Sequence, residues 1–194
     1  MKKALFLDRD GVINQMISYK GEFDSPKKVS DVKLVEGVAE VISWLNKKNI
    51  PVIEVTNQPG VALGKVNWKT LEAIEKSIHN LLVKDGVRIN KVYRCFHHPK
   101  AILLDFKLEC NCRKPKTGML IQAAKDLEIK LSESVLFGDN ATDIEAGKRV
   151  GCKTILFLHT NDTPEKIAAK QNAEPDFKVY SHKEALTILK KLLK

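Results

Sequence analysis

The stretch ALFLDRDGVIN, residues 4–14, carries the clearest fold signal in the chain. Its apolar run from Ala4 to Leu7 is typical of a buried strand. The run ends in two carboxylates, Asp8 and Asp10, followed by the turn residue Gly11. Because strand side chains alternate with a period of two, both carboxylates would share a face if the strand continued. Two carboxylates at that spacing need a cation between them or a proton on one of them.

Both arrangements suit an enzyme. A hard divalent ion such as Mg²⁺ prefers carboxylate and carbonyl oxygens. One acid of such a pair can serve as a nucleophile while the other serves as a general acid and base. The competing interpretation of this short motif is a strand end with two solvated acids.

Composition limits the class of protein. The chain has 194 residues, enough for one domain with a sizeable core, and a net charge of +9. It has no apolar run long enough for a membrane helix, and its first residues do not resemble a signal peptide, so we expect a cytoplasmic protein that does not bind a membrane. The lysines are scattered, which indicates a solvated surface that favours anionic small molecules.

Strand and helix signals alternate along the chain, which predicts an α/β fold with a doubly wound parallel sheet in three layers. Strands are expected near residues 52–55, 91–96, 134–137, 154–158 and 177–180. Helices are expected over 37–48, from 67 onward, over 118–127 and 143–150, and from 163 and 181 onward. Residues 16–30 are polar and irregular, and we expect a loop or flap there. We find no linker, so residues 1–194 are expected to form a single domain.

The polar motifs follow strands at their carboxyl ends. They are Asp8 and Asp10, Thr56-Asn57, the loop ending in Arg113-Lys114, and Asp139. An open α/β sheet binds its ligand at this edge. Four such coincidences make the interpretation as solvated acids much weaker.

A second motif consists of Cys95 and His97, then twelve residues, then Cys110 and Cys112. Three thiolates and one imidazole suit a closed tetrahedral Zn²⁺ site, so we expect a structural zinc loop over about residues 95–116. The alternative is a loop with free thiols. Cys152 precedes an apolar strand and is expected in the core.

Taken together, the motifs resemble those of the haloacid dehalogenase superfamily. In chain order they are Asp8-Arg9-Asp10-Gly11, Thr56, Lys114, and Gly138-Asp139 through Asp143. The resemblance covers nearly the whole chain and implies the parallel sheet predicted above, as well as a phosphatase. It leaves no room for a separate cap domain.

The resemblance also implies roles. Asp8 would be the nucleophile that forms an aspartyl-phosphate, and Asp10 the general acid and base. Thr56 and Lys114 would stabilise the phosphoryl oxygens.

Mg²⁺ would be held by Asp8, the backbone carbonyl of Asp10, and Asp139. For Asp143 two roles remain open, a water-mediated contact with Mg²⁺ or a cap on the following helix.

The zinc loop narrows the resemblance to the family of D-glycero-D-manno-heptose 1,7-bisphosphate 7-phosphatases. The related histidinol-phosphate phosphatases have a shorter zinc loop. The implied substrate-binding residues are Tyr19, Asn57, Gln58, Arg113 and Asn140. Two positions depart from the family pattern, because Leu63 replaces an arginine and Asn140 replaces a lysine.

These observations predict a phosphoric monoester hydrolase that acts on a phosphorylated sugar. The alternatives are a histidinol-phosphate phosphatase and, with weaker support, a polynucleotide 3′-phosphatase. Nucleic acid is disfavoured as a partner because the chain has neither a P-loop nor a basic stripe interleaved with aromatic residues. We expect a monomer.

Overall fold

A six-stranded parallel sheet forms the centre of the molecule, which we describe from a computed structural model covering residues 1–160 and 162–194. The strands in chain order are β1 (Leu5–Leu7), β2 (Ile17–Tyr19), β3 (Glu22–Asp24), β4 (Val52–Asn57), β5 (Lys91–Cys95), β6 (Val135–Gly138), β7 (Lys153–Phe157) and β8 (Phe177–Val179). The sheet order is β5-β4-β1-β6-β7-β8. This order confirms the predicted doubly wound α/β class.

Six α-helices flank the sheet within the described residues. They are α1 (Val38–Lys47), α2 (Trp68–Lys84), α3 (Gly118–Leu127), α4 (Ala141–Arg149), α5 (Pro164–Gln171) and α6 (His182–Leu192). Short 3-10 turns cover Val29–Asp31, Leu104–Phe106 and Leu131–Glu133. None of the described helices is long and apolar enough to cross a membrane.

The alternation of side chains in β1 divides the core into two halves. Leu5 and Leu7 pack in one buried cluster with residues of α1, α2 and α6. Phe6 packs on the opposite face in a second cluster with residues of α3 and α4. The sheet is therefore covered by helices on both faces, as expected for parallel strands that are apolar throughout.

Two details differ from the sequence-based expectation. The polar segment 16–30 contains a two-stranded antiparallel hairpin, β2–β3, in which Ser18 pairs with Phe23. Its strands have only three residues each, too few to produce a visible period-two pattern. The apolar spacing in the helix from residue 67 onward predicts a buried face of Leu71, Ile74, Ile78 and Leu81, whereas the buried residues of α2 are Leu71, Ile74, Ile78 and Leu82.

The ladder places three strand ends side by side. Leu7 of β1 pairs with Glu54 of β4 on one side and with Phe137 of β6 on the other. The ladder continues one step beyond β1, because the amide of Asp8 donates to the carbonyl of Phe137 at 3.0 Å. The residues that follow β1, β4 and β6 consequently meet at one edge.

His182, at the start of α6, is a core residue whose titration should affect stability. It is 1% exposed and packs against the rings of Phe137 and Phe157, with centroid distances of 5.4 and 5.1 Å. Burial lowers the pKa of His182 to about 4, although the backbone carbonyls of Glu36 and Val12 act in the opposite direction.

We expect His182→Leu to flatten the acid dependence of stability. As the pH falls below 6.5 the unfolded chain binds a proton at this histidine that the folded chain does not bind until about pH 4, so wild-type stability is lost across that interval. The loss from this group is on the order of 2–3 kcal/mol. Urea unfolding at pH 7.5 and 4.5 measures it, and equal pH dependence in both proteins would contradict the prediction.

Candidate active site

Asp8, Lys114 and Asp143 form an ion-pair cluster at the carboxyl end of β1. The ammonium of Lys114 lies 2.9 Å from Asp8 Oδ1 and 2.6 Å from Asp143 Oδ1. It also donates to the backbone carbonyl of Val55 at 2.7 Å. Lys114 and Asp143 are almost completely buried, whereas the side chain of Asp8 keeps 14% of its exposure. Asp8 is therefore the member of the cluster that faces an incoming ligand.

Lys114 is positioned through its backbone by Asn57, the last residue of β4. The amide of Lys114 donates to Asn57 Oδ1 at 3.0 Å, and Asn57 Nδ2 donates to the carbonyl of Lys114 at 3.1 Å. This two-bond contact ties a loop residue to a residue 57 positions earlier. The side chain of Asn57 therefore holds the loop that ends in Lys114, although the resemblance assigned Asn57 to substrate binding.

Thr56 lies beside this cluster and is 1% exposed. Its hydroxyl oxygen accepts a hydrogen bond from Gln58 Nε2 at 2.9 Å. That contact leaves the hydroxyl proton for an incoming acceptor. The position suits donation to a phosphoryl oxygen.

Asp139 follows β6 and approaches the turn after β1. A Cβ added to Gly11, which has a φ of +91°, would lie 2.3 Å from Asp139 Oδ2. Glycine is thus required there both for its backbone conformation and for the space the carboxylate occupies. On its other side Asp139 Oδ2 lies 3.3 Å from Nε2 of His159, which follows β7.

Asp143 has two contacts that bear on its two possible roles, a helix cap or a contact with Mg²⁺. Its Oδ2 accepts from the amide of Asn140 at 3.0 Å, which is the contact of a cap at the start of α4. Its other oxygen pairs with Lys114. Gly138 permits this position, because a Cβ there would lie 2.3 Å from the Cβ of Asp143. The helix cap is observed, and the carboxylate also lies within reach of the same ion as Asp8 and Asp139.

The acids of the cluster have raised proton affinities. Burial, with a contribution from Asp143 and opposed by Lys114, raises the pKa of Asp8 to about 7. Burial and the neighbouring carboxylate of Asp8 raise the pKa of Asp139, and burial also raises that of Asp143. Although burial alone would lower the pKa of Lys114, Asp143 and Asp8 raise it, so the lysine stays charged. Asp8 and Asp143 thus share one buried ammonium, while Asp139 lies beside His159.

The donor set fits a divalent cation. One oxygen from each of Asp8, Asp139 and Asp143 lies within 4.8 Å of the others. Clustered carboxylates with raised pKa values are relieved by a bound cation. Oxygen ligands of this kind are those that Mg²⁺ prefers. We therefore expect these residues to hold Mg²⁺.

Stabilisation by Mg²⁺ should increase with pH. Below pH 7 the folded chain holds a proton on Asp8 that the ion must displace, so affinity should fall about tenfold per pH unit. Above pH 7 the ionised carboxylate of Asp8 costs stability until the ion neutralises it. Thermal unfolding with and without MgCl₂ at pH 6 and 8 tests this, with NaCl at equal ionic strength as the control. Equal shifts in melting temperature at both pH values would contradict it.

The carboxylate of Asp10 belongs to a hydrogen-bond network that is separate from the cluster of Asp8, Lys114 and Asp143. Its Oδ2 accepts from Arg9 Nη2 at 2.7 Å, Gln58 Nε2 at 2.7 Å and Ser25 Oγ at 2.8 Å. Burial would raise the pKa of Asp10, but Arg9, Gln58 and Ser25 outweigh it and hold that pKa below its ordinary value. The two acids of the motif are therefore paired with different cations, Asp8 with Lys114 and Asp10 with Arg9. Their side chains need neither a shared proton nor one common metal ion to offset their charges.

The four residues of the sequence-predicted zinc site lie together. Distances between ligand atoms include 3.4 Å for Cys95 to Cys110, 3.2 Å for Cys110 to Cys112, and 3.4 Å for Cys112 to Nδ1 of His97. Tetrahedral ligands with bonds of about 2.3 Å lie about 3.8 Å apart, so the set is close to the size that Zn²⁺ needs. Burial raises the pKa of Cys110, but hydrogen bonds from Cys112, the amide of Arg113 and Cys95 lower it to about 6, which favours a thiolate. The donor set fits Zn²⁺.

The other residues assigned to substrate binding have varied surroundings. Arg113 donates from Nη1 to the carbonyl of His97 at 3.3 Å, which holds its guanidinium group against the zinc loop. Tyr19 donates to Asp31, and its ring lies 4.2 Å below the ammonium of Lys27, so its hydroxyl is engaged within the flap. Asn140 precedes α4 and lines a cavity of about 1000 Å³. That cavity begins at Asp139 and extends past His159 to the start of α6.

Sequence reasoning missed three residues of the site, namely Arg9, Ser25 and His159. Arg9 lies inside the motif that drew attention to Asp8, yet its burial depends on residues far along the chain. Ser25 directly follows the β2–β3 hairpin, whose short strands have no clear sequence pattern. His159 follows β7 at the same sheet edge as Asp139, so the rule that ligands bind at carboxyl strand ends could have found it.

Comparison with known proteins agrees with this geometry. The HAD-hydrolase-like family matches residues 111–185. A Haemophilus influenzae protein named D-glycero-beta-D-manno-heptose-1,7-bisphosphate 7-phosphatase is 31% identical over 194 residues, covering 100% of both chains. A Photorhabdus laumondii protein named D-glycero-alpha-D-manno-heptose-1,7-bisphosphate 7-phosphatase is 33% identical over 88% of this chain and 91% of its own.

A solved structure has the same fold. The D,D-heptose 1,7-bisphosphate phosphatase of B. bronchiseptica, complexed with magnesium and phosphate, superposes with a TM-score of 0.80 at 27% identity. The match covers 97% of this chain and 98% of that one. From the acid cluster, the fold and these relatives, it follows that the chain belongs to the haloacid dehalogenase-like hydrolases, in the family of the D-glycero-D-manno-heptose 1,7-bisphosphate 7-phosphatases.

Proposed function

We propose that this chain is a Mg²⁺-dependent phosphatase that removes the 7-phosphate of D-glycero-D-manno-heptose 1,7-bisphosphate. The observation that carries the proposal is the cluster in which Lys114 contacts both Asp8 and Asp143. Asp139 completes a set of three carboxylates there. The names of the relatives support the choice of substrate.

In the first half-reaction an oxygen of Asp8 attacks phosphorus and the bond from phosphorus to the sugar oxygen breaks. Asp10 gives a proton to that leaving oxygen, which departs as an alcohol. Asp8 now carries the phosphoryl group as an aspartyl-phosphate. A proton on Asp10 is needed because an alkoxide is a poor leaving group, although the contacts of Asp10 with Arg9, Gln58 and Ser25 favour its ionised form in the free protein. After the first turnover, the attacking water of the second half-reaction supplies this proton.

In the second half-reaction water attacks phosphorus and gives a proton to Asp10. The bond between Asp8 and phosphorus breaks, which releases inorganic phosphate and restores both acids. Lys114 and the hydroxyl of Thr56 stabilise the charge on the phosphoryl oxygens in both steps. Mg²⁺ would be held by Asp8, Asp139 and the backbone carbonyl of Asp10, with Asp143 within reach, and would supply further charge neutralisation.

The zinc loop positions the cations of the site. Its last ligand, Cys112, directly precedes Arg113 and Lys114. A closed site with four protein ligands has no position for substrate, so the role we propose for Zn²⁺ is structural. Ordering this loop sets the placement of Lys114 against Asn57.

Selectivity has to come from the loops around the sheet edge. Arg113, Asn57, Gln58, Asn140 and Tyr19 are the proposed substrate-binding residues. Leu63 and Asn140 stand where the family pattern has cations, which weakens the expected hold on the distal phosphate. We retain as predictions a single domain over residues 1–194, a monomer and a cytoplasmic location.

A phosphatase screen tests the proposal. With Mg²⁺ present, we compare kcat/KM for the alpha and beta anomers of the heptose bisphosphate, histidinol phosphate, and an oligonucleotide with a 3′-phosphate. We expect the highest value for one anomer of the bisphosphate. A preference for histidinol phosphate would replace the substrate assignment but keep the mechanism, and hydrolysis of none of these compounds would contradict the function.

A further inference from the structure

Arg9 is the most deeply buried cation next to the catalytic acids, and the proposed chemistry gives it no role. Its residue exposure is 1%, and Arg9 is among the largest fully buried side chains described. A buried guanidinium is costly unless its charge and hydrogen bonds are satisfied. Its partners should therefore indicate what it does.

The inner partner of Arg9 is the carboxylate of Asp10. Arg9 Nη2 contacts Asp10 Oδ2 at 2.7 Å and Arg9 Nε contacts Asp10 Oδ1 at 3.2 Å. This two-pronged pairing engages both carboxylate oxygens, so it fixes the plane of the group as well as its position. A lysine ammonium, as a point charge, cannot reproduce it.

Gln58 links the pairing of Arg9 and Asp10 to Thr56, the residue proposed to donate to a phosphoryl oxygen. Arg9 Nη2 donates to Gln58 Oε1 at 2.6 Å. With its amide thus oriented, Gln58 Nε2 reaches both Asp10 Oδ2 at 2.7 Å and the hydroxyl of Thr56 at 2.9 Å. One guanidinium consequently sets the positions of Asp10 and, through Gln58, of Thr56.

The outer partner of Arg9 lies in α2. Arg9 Nη1 is 3.6 Å from Glu75 Oε1, and Arg94 of β5 approaches the same oxygen at 2.7 Å. Glu75 contacts neither Asp10 nor Gln58 in these pairs. A substitution at Glu75 therefore perturbs the buried network from the far side and offers a matched control.

We propose that Arg9 is a positioning residue that holds Asp10 for proton transfer to and from the leaving and attacking oxygens. The inference rests on the proposed phosphatase function. It does not require Arg9 to touch the substrate. Its effect should therefore appear only in those steps in which Asp10 moves a proton.

The choice of leaving group distinguishes the steps that need a proton from Asp10 from those that do not. Release of a sugar alcohol needs a proton from Asp10, whereas release of p-nitrophenolate from p-nitrophenyl phosphate does not, because that leaving group is already a stable anion. Hydrolysis of the aspartyl-phosphate needs Asp10 for both compounds. Rapid-mixing experiments with Mg²⁺ therefore follow the first product of each ester in a pre-steady-state burst.

We expect Arg9→Lys to slow the release of sugar alcohol on the order of 100-fold, because a small misplacement of the general acid has an effect of that size. The p-nitrophenolate burst should change less than about threefold, followed by slowed steady-state turnover. Glu75→Gln should keep the wild-type ratio between the two esters. Equal slowing of both bursts in Arg9→Lys, or slowing of neither, would overturn the proposal.

A second variant covers the case in which lysine is not accommodated. The double change Arg9→Gln with Glu75→Gln removes the buried cation and its outer carboxylate together, and it should show the same dependence on leaving group. Wild-type turnover is measured in the same series. If wild-type protein hydrolyses neither ester, the phosphatase function fails, whereas a normal wild type with an unselective Arg9→Lys defect rejects only the role of Arg9.

Discussion

Asp8→Asn is expected to lower phosphatase turnover by about 10⁴-fold or more while the protein remains folded and keeps its zinc. The amide cannot attack phosphorus, and losing a nucleophile that acts with its general acid removes most of the catalysis. Lys114 keeps Asp143 and the carbonyl of Val55 as partners, so the local structure should persist. Turnover, zinc content and circular dichroism measure the three parts of the prediction.

The change in folding stability caused by Asp8→Asn should also have a defined sign. Since burial raises the pKa of Asp8 from 3.8 to about 7, ionisation of this carboxyl group costs folding free energy, and the cost grows across that interval and is complete above about pH 7. Without Mg²⁺, Asp8→Asn should then be as stable as wild type at pH 8, or more stable. Asp126→Asn, an exposed change on α3, should leave turnover unchanged. Retained turnover in Asp8→Asn would exclude the aspartyl-phosphate mechanism.

Removal of zinc is expected to have the second large effect. Cys112→Ser should reduce bound zinc from one ion per chain to nearly none, and lower kcat/KM on the order of 100-fold. Zinc binding to small structural sites contributes roughly 10–16 kcal/mol, so without it the loop over residues 95–116 should lose its fixed conformation. Metal analysis, hydrogen exchange of the loop and phosphatase kinetics follow these changes.

The control for that experiment is Cys152→Ala. Cys152 is buried in the core cluster with α3 and lies outside the four-residue site, so this variant should retain its zinc and its turnover. The expected defect in Cys112→Ser is confined to the loop and the cations that follow it. Full activity in zinc-free protein would show that the loop does not set the position of Lys114.

The fold and the location of the site were accessible from sequence because both depend on local patterns. Apolar runs alternating with amphipathic segments specify parallel strands and crossover helices. Parallel strands place their carboxyl ends at one edge, so Asp8, Thr56 and Asp139 were expected near one another. The four residues of the zinc site were also found from a local pattern, because their paired spacing can be read from the sequence without knowledge of the fold.

The internal organisation of the site was not accessible. The pattern of Asp8 and Asp10 suggested carboxylates facing one ion, but β1 ends at Leu7 and Asp10 turns toward Arg9 and Gln58. Gln58 lies 48 residues from Asp10, and no local signal encodes that pairing. Hydrogen bonds between residues this distant depend on how the strands are ordered in the sheet.

The division between strands and loops has a consequence for evolutionary history. The proposed nucleophile Asp8 and its neighbours follow three adjacent strands, β1, β4 and β6, where neighbouring strands and two packed layers constrain each position. Two of the proposed substrate-binding residues lie outside this framework, Tyr19 in the β2–β3 hairpin and Arg113 in the loop after β5. Mutations can accumulate in the hairpin and in this loop without disturbing the residues proposed to carry out hydrolysis. Descendants of one ancestral gene can therefore change the metabolite they act on faster than they can change the reaction.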